Sequence, residues 1–393
     1  MNIFLLLAYS LLPGLAKIIG NQNPMLLNIP LLFVLFYTNQ KKINWRPVDK
    51  YVLTFILYSI FISIVAIMFL PSAPITVFMG IYMFVIPMTG YFFSYLIDLE
   101  EVLKSLKLIA VIHVFFAIFI YPLTPWYPYI AGFSELFRSG VFGERMTSMS
   151  GSLGFASLTL ICFTCLFFNS KSVKDILILI ISAVGLVFAQ QRGAWLGAII
   201  VLVVNVLEKI KTGRLKIKES TISRGFLLVV FAGILIGSGV FKIESLMDRY
   251  QDQFGEQAMV ERGDQWEGGF DNLVKYPLGT GVGQVGQISR IGTWFGSPYR
   301  PCPDGDYPHI ISETGVLGML FLFFLFGTAG LIFFYSKFEN KTVKTGFFVF
   351  LGLCMQMIGS NVTEFYFVNF LYWMFIGYML SDIQYPNGKM VIK

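Results

Sequence analysis

The chain has 393 residues, a mean hydropathy of +0.70, 56% hydrophobic residues and only 13% charged ones. Soluble chains carry about a quarter charged residues, so an ordinary soluble domain is excluded. The net charge of +6 is laid out by topology, as argued next, and implies no nucleic-acid partner.

A helix crosses a bilayer with about 17–25 apolar residues. On that measure the sequence predicts an all-α polytopic membrane protein of about twelve transmembrane helices, at 3–20, 25–38, 51–70, 74–97, 106–122, 152–169, 173–189, 193–208, 225–240, 314–335, 344–360 and 365–381. The first apolar segment reads as a true span, not a cleavable signal peptide. Phe and Tyr, 41 and 19 in number, suit lipid-facing helices with interfacial aromatic belts. No internal repeat or low-complexity linker is visible, so residues 1–393 read as one membrane domain.

Lys and Arg orient the spans. With both termini cytoplasmic, the inner connectors and the C-terminal tail hold 19 of the 29 basic residues, including Lys41, Lys104, Lys171, Lys209, Lys341 and Lys344. The short outer connectors at 21–24, 71–73 and 361–364 hold none. This places the one long polar stretch, Phe241–Glu313 between the ninth and tenth spans, outside the cytoplasm, with a second outer loop at about 123–151. Eleven of the 23 acidic residues lie in the long stretch. A membrane protein needs only short turns between spans, so a loop of this length points to function. Ile243, Leu246, Met247, Tyr250 and Phe254 recur at helical spacing, a second helix is expected over about 257–274, and the run Pro277–Gly283 then breaks regular structure.

Arg192 stands first among candidate functional residues. It lies in the tight outer turn Gln191-Arg192-Gly193-Ala194 between two spans, against the charge rule. An interfacial Arg can snorkel to headgroups. Its planar fork also suits the oxygens of a lipid-linked phosphate or diphosphate at that depth. Arg262 sits on the second loop helix with Glu261, Asp264 and Glu267 as possible neutralising neighbours, and Arg290 and Arg300 follow in the same loop. Asp304, Asp306 and His309 precede the span that opens at Thr314; His309 is a natural general base, and a carboxylate could do the same work. The competing reading of the two aspartates is turn chemistry, with Asp306 favouring a helix start. The glycines of Gly279–Gly283 match no nucleotide-binding fingerprint and read as a turn that lets the backbone approach another element closely. His113 lies mid-span, where an interhelical hydrogen bond is expected. Cys162 and Cys165 share one face of a span without other soft ligands, Cys302 has no loop partner, and no metal site is expected. Lys17 either snorkels or contacts the same anionic lipid.

Taken in order, Gln191-Arg192-Gly193-Ala194, Arg262-x3-Trp266, Tyr276-Pro277-Leu278-Gly279-x-Gly281-x-Gly283 and Tyr307-x5-Glu313-x-Gly315-x2-Gly318 resemble the motifs of the O-antigen ligase and O-antigen polymerase superfamily of bacterial membrane glycosyltransferases, over about 190–318. The resemblance implies a GT-C-like fold in the bacterial inner membrane, its active site facing the periplasm. It implies an undecaprenyl-diphosphate-linked oligosaccharide as donor and another as acceptor, membrane lipid around them, and a chain-length regulator protein as a partner. No nucleotide or other cofactor is implied. Arg192 and Arg262, with Arg290 and Arg300, would bind the diphosphate; Asp304 or His309 would be the base; Trp266, Tyr307 and Glu313 would contact glycan. The ligases share a His-Asn placed nine residues before the Gly-x2-Gly pair, and here that His slot holds Asp304. The departure favours a polymerase over a ligase. A flippase or transporter would also have about twelve spans, but would place ionisable residues along a midplane path. A non-enzymatic scaffold would not need the interfacial arginines.

Overall fold

The computed structural model describes residues 1–19, 26–41, 45–70, 72–120, 148, 151–189, 191–213, 256–296, 298, 300, 305–336, 338–384 and 391–392. Within them the chain is almost wholly helical: α1 (Asn2–Ile19), α2 (Asn28–Thr38), α3 (Pro47–Phe69), α4 (Pro74–Leu96), α5 (Leu99–Ile120), α6 (Gly151–Asn169), α7 (Val173–Phe188), α8 (Arg192–Lys211), α9 (Glu256–Lys275), α10 (Gly286–Thr293), α11 (Asp306–Tyr335), α12 (Lys341–Gln356) and α13 (Tyr366–Met379). Two residues of strand, Ile383–Gln384, pair antiparallel with Val391–Ile392. Four helices, α3, α4, α8 and α11, are long and apolar enough to cross a membrane, and shorter apolar helices accompany them. Eleven of the twelve segments expected as spans fall on helices; the twelfth, 225–240, lies outside the described residues, as do the helix expected over 243–254 and most of the second outer loop. The expected loop helix at 257–274 is α9.

The bundle is centred on α13, whose residues are all buried. It packs against α12, α4 and α6, and α12 packs in turn on α8. Apolar pattern alone could not single out α13, since a helix buried among helices and one facing lipid are both apolar all round. What distinguishes it is close approach. A Cβ on Gly346 of α12 would come within 2.7 Å of the Phe375 carbonyl, and one on Gly377 of α13 within 2.6 Å of the Tyr91 carbonyl. Small residues let helix backbones meet where lipid supplies no hydrophobic drive.

α4 is interrupted by a π-helical stretch, Ile81–Val85, just before Pro87. Proline has no N–H, so the Met83 carbonyl loses its helical donor. Nδ2 of Asn369 on α13 lies 3.4 Å from that carbonyl.

The two ends of the bundle differ. At one end, lysines meet acidic residues at or near helix ends: Lys341 and Lys171 flank Glu100 at 3.1 and 3.8 Å, Lys344 pairs with Glu208 at 2.8 Å, Lys41 with Asp98 at 3.2 Å, and Lys107 with Asp175. Hydrogen bonding to Lys341 holds Glu100 below the usual carboxylate range. Nearby, the buried Asp49 accepts hydrogen bonds from Tyr91 at 2.6 Å and Tyr95 at 2.7 Å beside Arg46, a closed cluster that ties α3 to α4. The glycine-rich run, the Arg192 turn and the start of α11 gather at the other end.

Candidate active site

The organising element is α11, which runs from Asp306 and not from Thr314, the expected opening of the span. It is two helical pieces joined at Gly315, whose φ of 64° and ψ of −151° are not helical. The break makes room for the glycine-rich turn. The amide of Gly281 donates to the Glu313 carbonyl at 2.9 Å, that of Thr280 to the Ser312 carbonyl at 3.0 Å, and that of Val316 to the Pro277 carbonyl at 2.9 Å. The reading of Gly279–Gly283 as a close-approach turn therefore holds. Gly283, at φ +80°, shows why the residue must be glycine, because an added Cβ would lie 2.8 Å from Cα of Gly80 and run into the Thr76 carbonyl.

This turn also fixes a carboxylate. Oε1 of the buried Glu313 accepts the amides of Gly283 at 2.7 Å and Val285 at 3.3 Å. The same oxygen lies 3.3 Å from Nε2 of His309, one helical turn earlier and also buried. The contact is an ion-pair approach, and neither ring nitrogen of His309 has a well-formed hydrogen bond among the described residues. Burial disfavours the charged form of His309, but the Glu313 carboxylate outweighs it, so the pair favours the imidazolium that forms when the ring takes a proton.

Asp306 has a different task. Its carboxylate is fully buried and accepts from the amide of Val362 at 2.6 Å, the amide of Thr363 at 3.1 Å and the Thr363 hydroxyl. It starts α11, as expected, yet it anchors the connector between α12 and α13 instead of capping its own helix. Its own amide donates to the Met357 carbonyl at 2.9 Å. The hydroxyl of Tyr307 donates to the Cys354 carbonyl at 2.6 Å, and its ring lies 6.3 Å from that of Trp266 on α9. Gly269 of α9 lets that helix close on Pro308. The loop helix and the start of α11 are thus one packed unit.

The end of α12 joins this unit to the Arg192 turn. Nε2 of Gln191 donates to Ser360 at 2.5 Å, Gln356 donates to the Gln191 side-chain carbonyl, and Gln356 also reaches Ser157 at 2.8 Å. A Cβ on Gly193 would touch Gln356 at 3.1 Å, so the residue after Arg192 has to be small for the turn to dock. Arg192 is half-buried with Nη1 withdrawn from solvent. Cys354 to Met357 therefore contacts Asp306 and Tyr307 on one side, while Gln356 holds the Arg192 turn on the other.

Arg300 is half-buried, with Nη1 3.5 Å from Oε1 of Gln284 and its guanidinium 6.0 Å from the centre of the Tyr276 ring. Arg262 lies on α9 and Arg290 on α10, but their side chains fall outside the described residues, as does that of Lys17 on α1. Asp304 and Cys302 lie outside as well. Among the described residues no group of His, Cys, Asp and Glu could hold a metal ion. His113 makes the interhelical contact expected of it, to Ser10 at 3.3 Å, and a second contact to Ser148, outside any helix, at 3.0 Å. Three residues escaped sequence reasoning: Gln356, Thr363 and Ser360, each polar at the outer end of an apolar segment. Their only signal was that position, which any interfacial residue shares.

An almost wholly helical chain, with helices apolar enough to cross a membrane and a buried polar site beneath a glycine turn, is a multi-pass membrane protein. Residues 177–323, which contain the Arg192 turn, α9, the glycine run and the start of α11, match the family model described as O-antigen ligase, and this match supports a likeness to the O-antigen ligase and polymerase superfamily. The match supports glycosyltransferase activity of that general type. No curated protein matches the chain.

Proposed function

We propose that the protein is an O-antigen or related surface-polysaccharide polymerase, an inverting glycosyltransferase of GT-C type with about twelve spans. It joins repeat units carried on undecaprenyl diphosphate at the periplasmic face of the inner membrane. The observation that carries this reading is the His309–Glu313 pair, set under the glycine turn within the family-matched segment and linked through the end of α12 to the Arg192 turn. In the proposed reaction an acceptor hydroxyl attacks the anomeric carbon of the donor. The bond from that carbon to the diphosphate oxygen breaks, and undecaprenyl diphosphate leaves with both bonding electrons. His309 takes the hydroxyl proton, and Glu313, held by two amides, balances the imidazolium. Arg192 and Arg262, with Arg290 and Arg300 nearby in sequence, neutralise the leaving diphosphate. Glu313 thus moves from a glycan contact to a positioning residue, and Trp266 and Tyr307 remain the aromatic surface for sugar.

A ligase that transfers glycan to lipid A-core is the second reading, favoured by the description of the matching family. The Asp at 304, where ligases carry His, favours the polymerase. Deleting the gene separates the two. Lipid A-core bearing a single repeat unit marks a lost polymerase; long chains accumulating on undecaprenyl diphosphate mark a lost ligase. Single Ala replacements at Arg192, Arg262, Asp304 and His309, read as polysaccharide chain length in cells, test the roles, and normal long chains from Arg192→Ala would overturn the diphosphate clamp.

A further inference from the structure

At the end of the bundle opposite the candidate site, a cavity of about 200 Å³ opens between the ends of α6, α8 and α12. Three of its lining residues are Lys209, Lys341 and Lys344, and Phe167 and Phe168 form an aromatic wall. The volume is far above the ~10–15 Å³ that admits one water. Lys344 is paired with Glu208 at 2.8 Å and sits over the Phe168 ring at 5.6 Å. Lys341 reaches Glu100, which Lys171 also approaches at 3.8 Å. Lys209 has no carboxylate partner among the described residues. Cations therefore outnumber the carboxylates that face them.

The helix end sharpens that balance. Lys341 and Lys344 occupy the first turn of α12, which has no acidic residue of its own, and among the described residues they are met only by Glu100 and Glu208 from other helices. A helix N-terminus carries partial positive charge and favours anions in its first turn, so two lysines there repel both the helix and each other. Glu100 and Glu208 offset part of this repulsion, and a bound anion would offset the remainder, together with the charge of Lys209.

We propose that this cavity is a binding site for the phosphate of an anionic phospholipid headgroup, held by Lys209, Lys341 and Lys344, with the glycerol and upper acyl chain lying against Phe167 and Phe168. The aromatic wall is what commits the site to a lipid, since a free phosphate would gain nothing from it. The cavity also lies among the basic connectors, on the side where an inner leaflet supplies anionic lipid.

The test uses the full chain in nanodiscs of phosphatidylglycerol or of phosphatidylcholine, with inorganic phosphate added to the latter as a third arm. Thermal midpoints and lipid retention by native mass spectrometry are read for the wild type, for Lys209→Gln and for the Lys209→Gln/Lys341→Gln double variant. Expected are a higher midpoint in phosphatidylglycerol and preferential retention of that lipid, both weakened in the double variant by roughly tenfold to thirtyfold in affinity. Lys209→Gln, which leaves every observed ion pair in place, should show a partial loss. Equal retention by wild type and both variants would overturn the site. An equal shift from inorganic phosphate alone would overturn its assignment to a lipid.

Discussion

Nε2 of His309 and Oε1 of Glu313 lie 3.3 Å apart, one turn from each other on α11, and the same Glu313 oxygen is held by the amide of Gly283 at 2.7 Å. If the carboxylate acts only through the imidazole, their losses cannot add. His309→Ala should lower the rate of chain extension by roughly 10²–10⁴-fold, the usual range for a general base. Glu313→Gln keeps an acceptor for the amides and should lose part of that. The double variant should be no slower than His309→Ala. The assay is transfer between lipid-linked repeat units in purified membranes, and additive losses would assign Glu313 a purely structural role.

The glycine turn should be far less tolerant than glycines of similar hydropathy elsewhere. Gly283→Ala adds a Cβ against backbone at a φ of +80° and should destabilise by roughly 2 kcal/mol or more. Gly327→Ala, inside α11 with nothing within 4 Å of the new atom, should stabilise by about 0.5–1 kcal/mol. Thermal unfolding in detergent distinguishes them, and a Gly283→Ala variant as stable as Gly327→Ala would mean that the turn does not dock as described.

Asp306 receives hydrogen bonds from two amides and a hydroxyl while fully buried. In Asp306→Asn one acceptor oxygen becomes an NH₂ facing those donors. The expected cost is about 1–3 kcal/mol, for donors left unpaired. Asp306→Ala should cost more. Both variants should lose activity in proportion to folded protein, measured as chain length normalised to membrane-extracted, monodisperse protein. Full-length chains made at low protein level would fit an anchoring residue, and loss at normal protein level would not.

Some of this was legible in the chain. Helix-length apolar segments, the loop helix from Glu256 to Lys275, the turn at Gly279–Gly283 and the hydrogen-bonded role of His113 follow from length, periodicity and glycine chemistry, which are local. The pairing of His309 with Glu313 was hidden by one boundary. With the helix expected to open at Thr314, both residues lay in the preceding loop, where a spacing of four carries no contact, and only a start at Asp306 makes it a helical one. The Gln191–Gln356 link and the Asp306–Thr363 anchor join segments far apart in the chain, and hydrophobic pattern carries no information about which helix ends meet. The same limit explains why α13 could not be recognised as the centre.

The opposite end of the bundle offers a contrast between two ion pairs. Lys344 meets Glu208 at 2.8 Å with the carboxylate side chain only 3% exposed, whereas Lys171 meets Glu100 at 3.8 Å with both side chains exposed, 75% and 61%. Exposed pairs of the second kind are worth about 0–1 kcal/mol, so Lys171→Ala should leave the thermal midpoint nearly unchanged. Lys344→Met strands a buried carboxylate and should cost about 3–5 kcal/mol. Replacing both partners, as Lys344→Met/Glu208→Leu, removes the stranded charge and should recover most of that loss. The cycle is read by thermal unfolding in a neutral detergent, where headgroup binding does not contribute. If the double variant were no more stable than Lys344→Met, the penalty would come from lost packing of the lysine stem on Phe168 and Phe348, which its ammonium overlies at 5.6 and 5.9 Å, and not from the carboxylate.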